Sequence, residues 1–236
     1  GEKMDGKEHT SKIYDRELQE IKENLLYLGG LAEKAIQNAM RSLLERDSDL
    51  AREVIDADDR INRLDKEIEE RCIDLVALRQ PVARDLRFIA TAIKINAHLE
   101  RIGDMAVNIA EKAIPLNEEP PVKPYIDLPR MSDTTQAMIR KSLDALVKED
   151  CDLADEVIRE DETVDNLNDQ IFRELVTFML EDPRTIHRAL LIMQISKNLE
   201  RISDHATSIA IMVIYLVTGR NIRHGNRAEK SFQNDI

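Results

Sequence analysis

The sequence predicts an all-α protein built from two tandem three-helix bundles, six long helices in all. Three observations carry this. Charged residues make up 34% of the 236 positions and aromatics only 3%, and seven Gly and seven Pro leave few breakers. That balance favours long helices over a sandwich or barrel. Apolar residues recur every three to four positions along most of the chain, the helical period. The one Pro-rich stretch, Pro115 to Pro124, divides the pattern into two similar halves.

The elements follow in order. Residues 1–12 are polar and are expected to fray. A stripe of Leu18, Ile21, Leu25, Leu28, Ala32, Ala35, Ala39 and Leu43 marks a first helix over about 14–45. Gly29-Gly30 in its middle either weakens it or admits a close neighbour. Asp47-Ser48-Asp49 supplies capping chemistry for the second helix. Its stripe is Val54, Ile61, Ile68, Cys72 and Leu75, and it ends near Pro81. The third helix runs from about Val82 to Ala113. The prolines that follow read as a linker no helix continues through. The fourth helix covers about 132–148, and Asp150 and Asp152 cap the fifth, which ends at Glu181-Asp182-Pro183. The sixth runs on to about Thr218, with Gly219 as its stop. The domain reading is a first repeat at 12–114, a linker at 115–130, a second repeat at 131–220 and a polar tail at 221–236.

The halves are copies of one unit. Leu99-Glu100-Arg101-Ile102-Gly103-Asp104 reappears as Leu199-Glu200-Arg201-Ile202-Ser203-Asp204. Leu50-Ala51-Arg52-Glu53-Val54-Ile55 aligns with Leu153-Ala154-Asp155-Glu156-Val157-Ile158. In that register Asp58 matches Asp161 and Asn62 matches Asp165. The offset changes from 103 to 100 between the two blocks, a length difference placed at the turns near Pro81 and Pro183. Self-similarity of this kind means a duplicated bundle.

A net charge of −12 excludes a phosphate-neutralising nucleic-acid binder and tight docking on anionic lipid. It suits cations or basic protein partners. Cys72 and Cys151 stand in no metal or redox spacing and read as small buried hydrophobes in a reducing compartment. The first residues lack a signal-peptide profile, and the apolar run Ile209–Val217 is too short to span a bilayer. The expectation is a soluble, cytoplasmic protein with no direct membrane insertion.

Acids interrupt the apolar stripes. Positions 58 and 65 of the second helix are Asp, and their counterparts 161 and 168 are Asp and Asn. Glu100 and Asp104 sit within the third helix, Glu200 and Asp204 within the sixth. Glu100/Asp104, Glu200/Asp204 and Asp161/Asp165 are i,i+4 pairs, so both carboxylates leave one helix face. Like charges at this spacing cost about 0.2–0.5 kcal/mol on an exposed helix, and unpaired burial costs several kcal/mol. One reading is that bound cations compensate. Oxygen ligands from facing helices suit Mg²⁺, Mn²⁺, Ca²⁺ or iron. The other is a solvated face in which Arg101 and Arg201 pair with Asp104 and Asp204. The coincidence of the breaks in both copies favours cations. Asn62 leaves the first half with fewer charges, hence weaker binding.

Other chemistry is not signalled. No Glu-x-x-His pair, Gly-rich phosphate loop, G-x-S-x-G or zinc spacing occurs, so the chain is read as a non-enzyme. Arg79, Arg84 and Arg87 cluster near the turn between the second and third helices. They form either a solvated basic turn or a contact for an anion or acidic partner.

The two Leu-Glu-Arg-Ile-x-Asp strings, Asn108-Ile109-Ala110, Arg79-Gln80-Pro81-Val82-Ala83-Arg84-Asp85-Leu86-Arg87 and Val213-Ile214-Tyr215-Leu216-Val217-Thr218-Gly219 together resemble the PhoU family over about 12–224. The resemblance implies two antiparallel three-helix bundles related by pseudo-twofold symmetry. It implies acidic motifs that hold divalent or iron cations (Mg, Mn, Zn or Fe) at Glu100, Asp104, Glu200, Asp204, Asp161 and Asp165. The motif is altered at Asp58/Asn62, and Asn108 becomes Ser208 in the second half. It further implies a negative regulator of the phosphate-starvation response and of phosphate uptake, often homodimeric. Such a regulator acts as an adaptor between PstB, the ATPase subunit of the phosphate ABC transporter, and the sensor histidine kinase PhoR. A metal-dependent hydrolase and a purely structural bundle are the alternatives.

Overall fold

A computed structural model describes residues 2–81 and 83–219. Helices α1 (Glu2–Leu44), α2 (Ser48–Arg79) and α3 (Ala83–Glu118) are followed by α4 (Asp127–Lys148), α5 (Cys151–Glu181) and α6 (Ile186–Thr218). No strand occurs among the described residues. The chain divides into two compact units, Gly1–Ile114 and Pro115–Ile236. The tail read at 221–236 lies outside the described residues.

In the first unit the expected stripe of α1 is buried at Ile21, Leu25, Leu28, Ala32, Ala39 and Leu43. Ile36 takes the place expected for Ala35. The 3.6-residue period of a straight helix has drifted one position off the heptad by then. Each fully buried Leu or Ile contributes roughly 1.5–3 kcal/mol. The helix begins at Glu2 rather than near residue 14. Lys and Glu are the commonest residues of that stretch, and no proline interrupts it. Gly29-Gly30 leaves α1 unbroken, and a Cβ at Gly30 would meet nothing within 4 Å, so that glycine serves no close approach. In α2 every apolar stripe residue, Val54, Ile61, Ile68, Cys72 and Leu75, is buried.

In the second unit α5 buries Val157, Val164, Leu167, Ile171 and Leu175. On α6, Ile192, Ile195, Leu199, Ile202, Ala206, Ile209 and Val213 are buried, with Ser196 and Ser203 among them.

The two units start their middle helices in the same way. Asp47 accepts from the backbone N–H groups of Asp49 and Leu50, and Asp150 accepts from those of Asp152 and Leu153. Each satisfies donors orphaned at a helix start. The residues just before, Arg46 (φ 59°) and Glu149 (φ 54°), are both left-handed, a conformation that favours glycine. Gly219 (φ 72°) closes α6 with its N–H donating to the Tyr215 carbonyl at 2.8 Å.

Two further boundaries differ from the sequence reading. Helix α3 passes Pro115 and ends at Glu118. Proline so near the end removes only one intrahelical bond. Helix α4 begins at Asp127 and contains Pro129. That proline is the third residue, where its missing N–H would have no partner in any case. The irregular stretch is therefore shorter than the 115–130 linker expected. Cys151 is also corrected. It opens α5 and is only partly buried, unlike Cys72. No helix among the described residues is long and apolar enough to cross a membrane.

Candidate cation-binding seams

The packing of α2 on α3 is close where α3 offers no side chain. A Cβ on Gly103 would lie 3.0 Å from Ile61 Cδ1 and 3.5 Å from Asp58 Oδ1. This brings Asp58 on α2 beside the Glu100/Asp104 face of α3. Asp58 Oδ2 accepts from Asn62 Nδ2 at 2.7 Å, while Asp58 Oδ1 is buried with no donor. Burial pushes the Asp58 carboxyl above its ordinary range. The Asn62 bond pulls it down, and the Asp104 charge pushes it up. Burial likewise raises Glu100, reinforced by Asp104 and opposed by Arg101. Arg101 Nη1 lies 3.0 Å from Asp104 Oδ2, and its Nε lies 3.5 Å from Glu100 Oε2. The expected Arg101–Asp104 pair therefore exists, on a side chain that is itself 61% exposed.

The second unit keeps the acids and changes their partners. Burial raises Asp161, with the Ser203 and Thr207 hydroxyls pulling down and the Glu200 charge pushing up. The Ser203 hydroxyl donates to the Glu200 carbonyl at 2.7 Å, and Asp161 Oδ1 is buried without a donor. Asp165, where the first unit has Asn62, is raised by burial and then by Asp161 and Glu200. Asp204 is pushed up to about 6, by burial first and then by Glu200, Asp161 and Asp165. The counter-cation is Lys197, with Nζ 2.6 Å from Glu200 Oε2. Asp165 and Asp204 are both exposed, as the solvated-face reading expects, but Arg201 does not pair with Asp204. Lys197 stands one turn before Glu200 and has Ala97 as its counterpart.

Each unit thus gathers the predicted acids of its second and third helices on one seam. All donors are oxygens, the set that suits hard cations. Asp58 Oδ1 and Asp161 Oδ1 offer buried acceptors awaiting a partner. Among the described residues, however, no three His, Cys, Asp or Glu side chains converge as a ready-made cage. Arg101 and Lys197 hold Asp104 and Glu200 toward themselves.

The basic turn is partly committed within the fold. Arg79 grips Glu17 with two parallel bonds of 3.0 Å, so it is no free cation for a partner. Arg84 and Arg87 lie at the start of α3, the first exposed and the second half-buried.

Sequence reasoning missed Lys197 and the pairing of Asp65 with Asn96. Asn96 Nδ2 donates to Asp65 Oδ1 at 2.6 Å and to the Asp65 carbonyl at 2.8 Å. The signal was present: Asp65 and Asn96 are both polar breaks in buried stripes.

The PhoU domain family matches the chain twice, over 25–113 and 128–213. The chain belongs to the PhoU family. A Pseudomonas putida phosphate-specific transport system accessory protein PhoU homolog is 43% identical over 217 residues, covering 92% of this chain and 85% of that protein. The Aquifex aeolicus homolog of the same description is 45% identical, covering 91% and 97%. The crystal structure of PhoU from Pseudomonas aeruginosa superposes with a TM-score of 0.84 at 43% identity, covering 88% of this chain and all of that one. The phosphate transport system regulatory protein PhoU from Streptococcus pneumoniae gives 0.81 at 27% identity, covering 88% and 98%. The duplicated three-helix architecture inferred from sequence is the PhoU fold.

Proposed function

We propose that this protein is a cytoplasmic negative regulator of the phosphate-starvation response and of phosphate uptake, and not an enzyme. It acts as an adaptor, binding the transporter ATPase PstB and the sensor kinase PhoR, and works as a homodimer. The observation that carries the reading is the match, over nine-tenths of the chain, to accessory proteins of phosphate-specific transport.

Cation binding on the two seams is part of the proposal. Asp58, Glu100 and Asp104, with the Asn62 amide trimming the charge, would form the weaker site. Asp161, Asp165, Glu200 and Asp204 would form the stronger one. A bound Mg²⁺, Mn²⁺, Zn²⁺ or iron ion would supply the positive charge these carboxylates lack. Asp58 and Asp161 present fixed, buried oxygens. Arg101 and Lys197, which pair with Asp104 and Glu200, would have to yield those acids to the ion.

Deletion of the gene should raise expression from phosphate-starvation promoters in phosphate-replete cells. The tagged chain should co-purify PhoR or PstB from such cells. Unaltered expression together with an empty pull-down would refute the regulatory reading. Metal content measured on the purified chain tests the seams separately. Glu200→Ala/Asp204→Ala should lower it, and an unchanged content would refute the second-unit site.

A further inference from the structure

Asn96 is 2% exposed and Ser196, its counterpart, is also 2% exposed. Both are buried polar residues on largely apolar helix faces. Each reaches across to a polar break on the neighbouring helix at the same place in the repeat. Asn96 bonds both the side chain and the backbone carbonyl of Asp65. The Ser196 hydroxyl donates to Asn168 Oδ1 and lies 3.7 Å from Met131 Sδ on α4. The pair has been rewritten from Asn–Asp to Ser–Asn, yet the crossing bond is kept in both units.

Stability alone does not explain these groups. A buried polar pair contributes no more than well-packed hydrophobic residues of like volume, and Asn96 Oδ1 is buried with no partner at all. What such a pair supplies is register. Seams of Ile, Leu and Ala pack nearly as well after a slide of one helical turn, about 5.4 Å. Here that slide would strand the buried Asn96 amide and leave the half-buried Asp65 carboxylate without its donor. It would also carry Glu100 and Asp104 away from Asp58.

We propose that Asn96–Asp65 and Ser196–Asn168 are register locks, one per unit, fixing the axial alignment of α2 with α3 and of α5 with α6. The acidic seams depend on that alignment, but the lock does not depend on what the seams bind.

The test uses the full chain with Cys72→Ala and Cys151→Ala, spin-labelled at Lys66→Cys on α2 and Lys94→Cys on α3, two exposed positions flanking the lock. With the lock intact, the interspin distance should form one narrow peak. Asp65→Leu/Asn96→Leu should broaden it or add a second peak, while circular dichroism keeps its helical signal. Asp65→Asn/Asn96→Ser, the chemistry of the second unit, should restore the single peak. Should the leucine pair fail to fold, Asp65→Ala/Asn96→Ala is read in the same way. One unchanged narrow peak in the unlocked variants overturns the proposal.

Discussion

The Asn62 amide donates to Asp58 at 2.7 Å, whereas the matching residue of the second unit, Asp165, faces Asp161 as a like charge. At this position the second seam gains a like charge where the first has a hydrogen bond.

Asn62→Asp should convert the first seam to the second. It removes a hydrogen bond to a charged acceptor and adds a repulsive i,i+4 pair, a loss of about 1–2 kcal/mol at pH 7. Urea unfolding at pH 7 and pH 4 checks this. The deficit should shrink at pH 4, where the carboxyls take up protons.

Asp204 binds its proton up to about pH 6, well above the ordinary value of 3.8. The folded state then holds more protons than the unfolded state between those values, so stability falls as pH rises through that window. Asp58, Asp65, Glu100, Asp161 and Asp165 are shifted in the same direction. Ion-free protein should therefore be more stable near pH 4.5 than at pH 7. Asp204→Asn should flatten the profile and stabilise the chain at pH 7 by about 1 kcal/mol, a figure already reduced for solvent screening. Denaturant midpoints against pH give the measurement.

The Gly103–Ile61 contact in the first unit corresponds to Ser203–Val164 in the second. A larger residue on one helix is matched by a smaller one on the other. Gly103→Ser alone should destabilise by about 1 kcal/mol through overpacking against Ile61. Adding Ile61→Val should recover most of the loss. A double-mutant cycle in thermal unfolding would read the coupling, and independent effects would contradict the packing argument.

Gly30 sits mid-helix with open space where a Cβ would go. Gly30→Ala should raise stability by about 1 kcal/mol, seen as a higher melting temperature.

Much of this was legible in the sequence. The period placed the six helices, Asp47 and Asp150 announced their caps, and the repeated string set the acids on corresponding faces. Boundaries at proline were misjudged because Pro115 and Pro129 fall where a helix end tolerates them. The acids were found as breaks in a stripe, but their partners were not. Lys197 pairs with Glu200 although Arg201 has the same helical spacing to Asp204 that Arg101 has to Asp104. Rotamers and the room available at one spot make that choice, and no periodicity encodes them. Arg79 illustrates the same limit, since its partner Glu17 is 62 positions away.

The exchange of bulk between Ile61/Gly103 and Val164/Ser203 has a consequence for how the duplicated gene can be rebuilt. Grafting α6 in place of α3 would press a hydroxymethyl group against isoleucine, and the reciprocal graft would leave a void beside valine. The two copies have drifted as matched sets. A recombinant that shuffles helices between them must carry facing residues together, and parts that descend from one ancestor are no longer spares for each other.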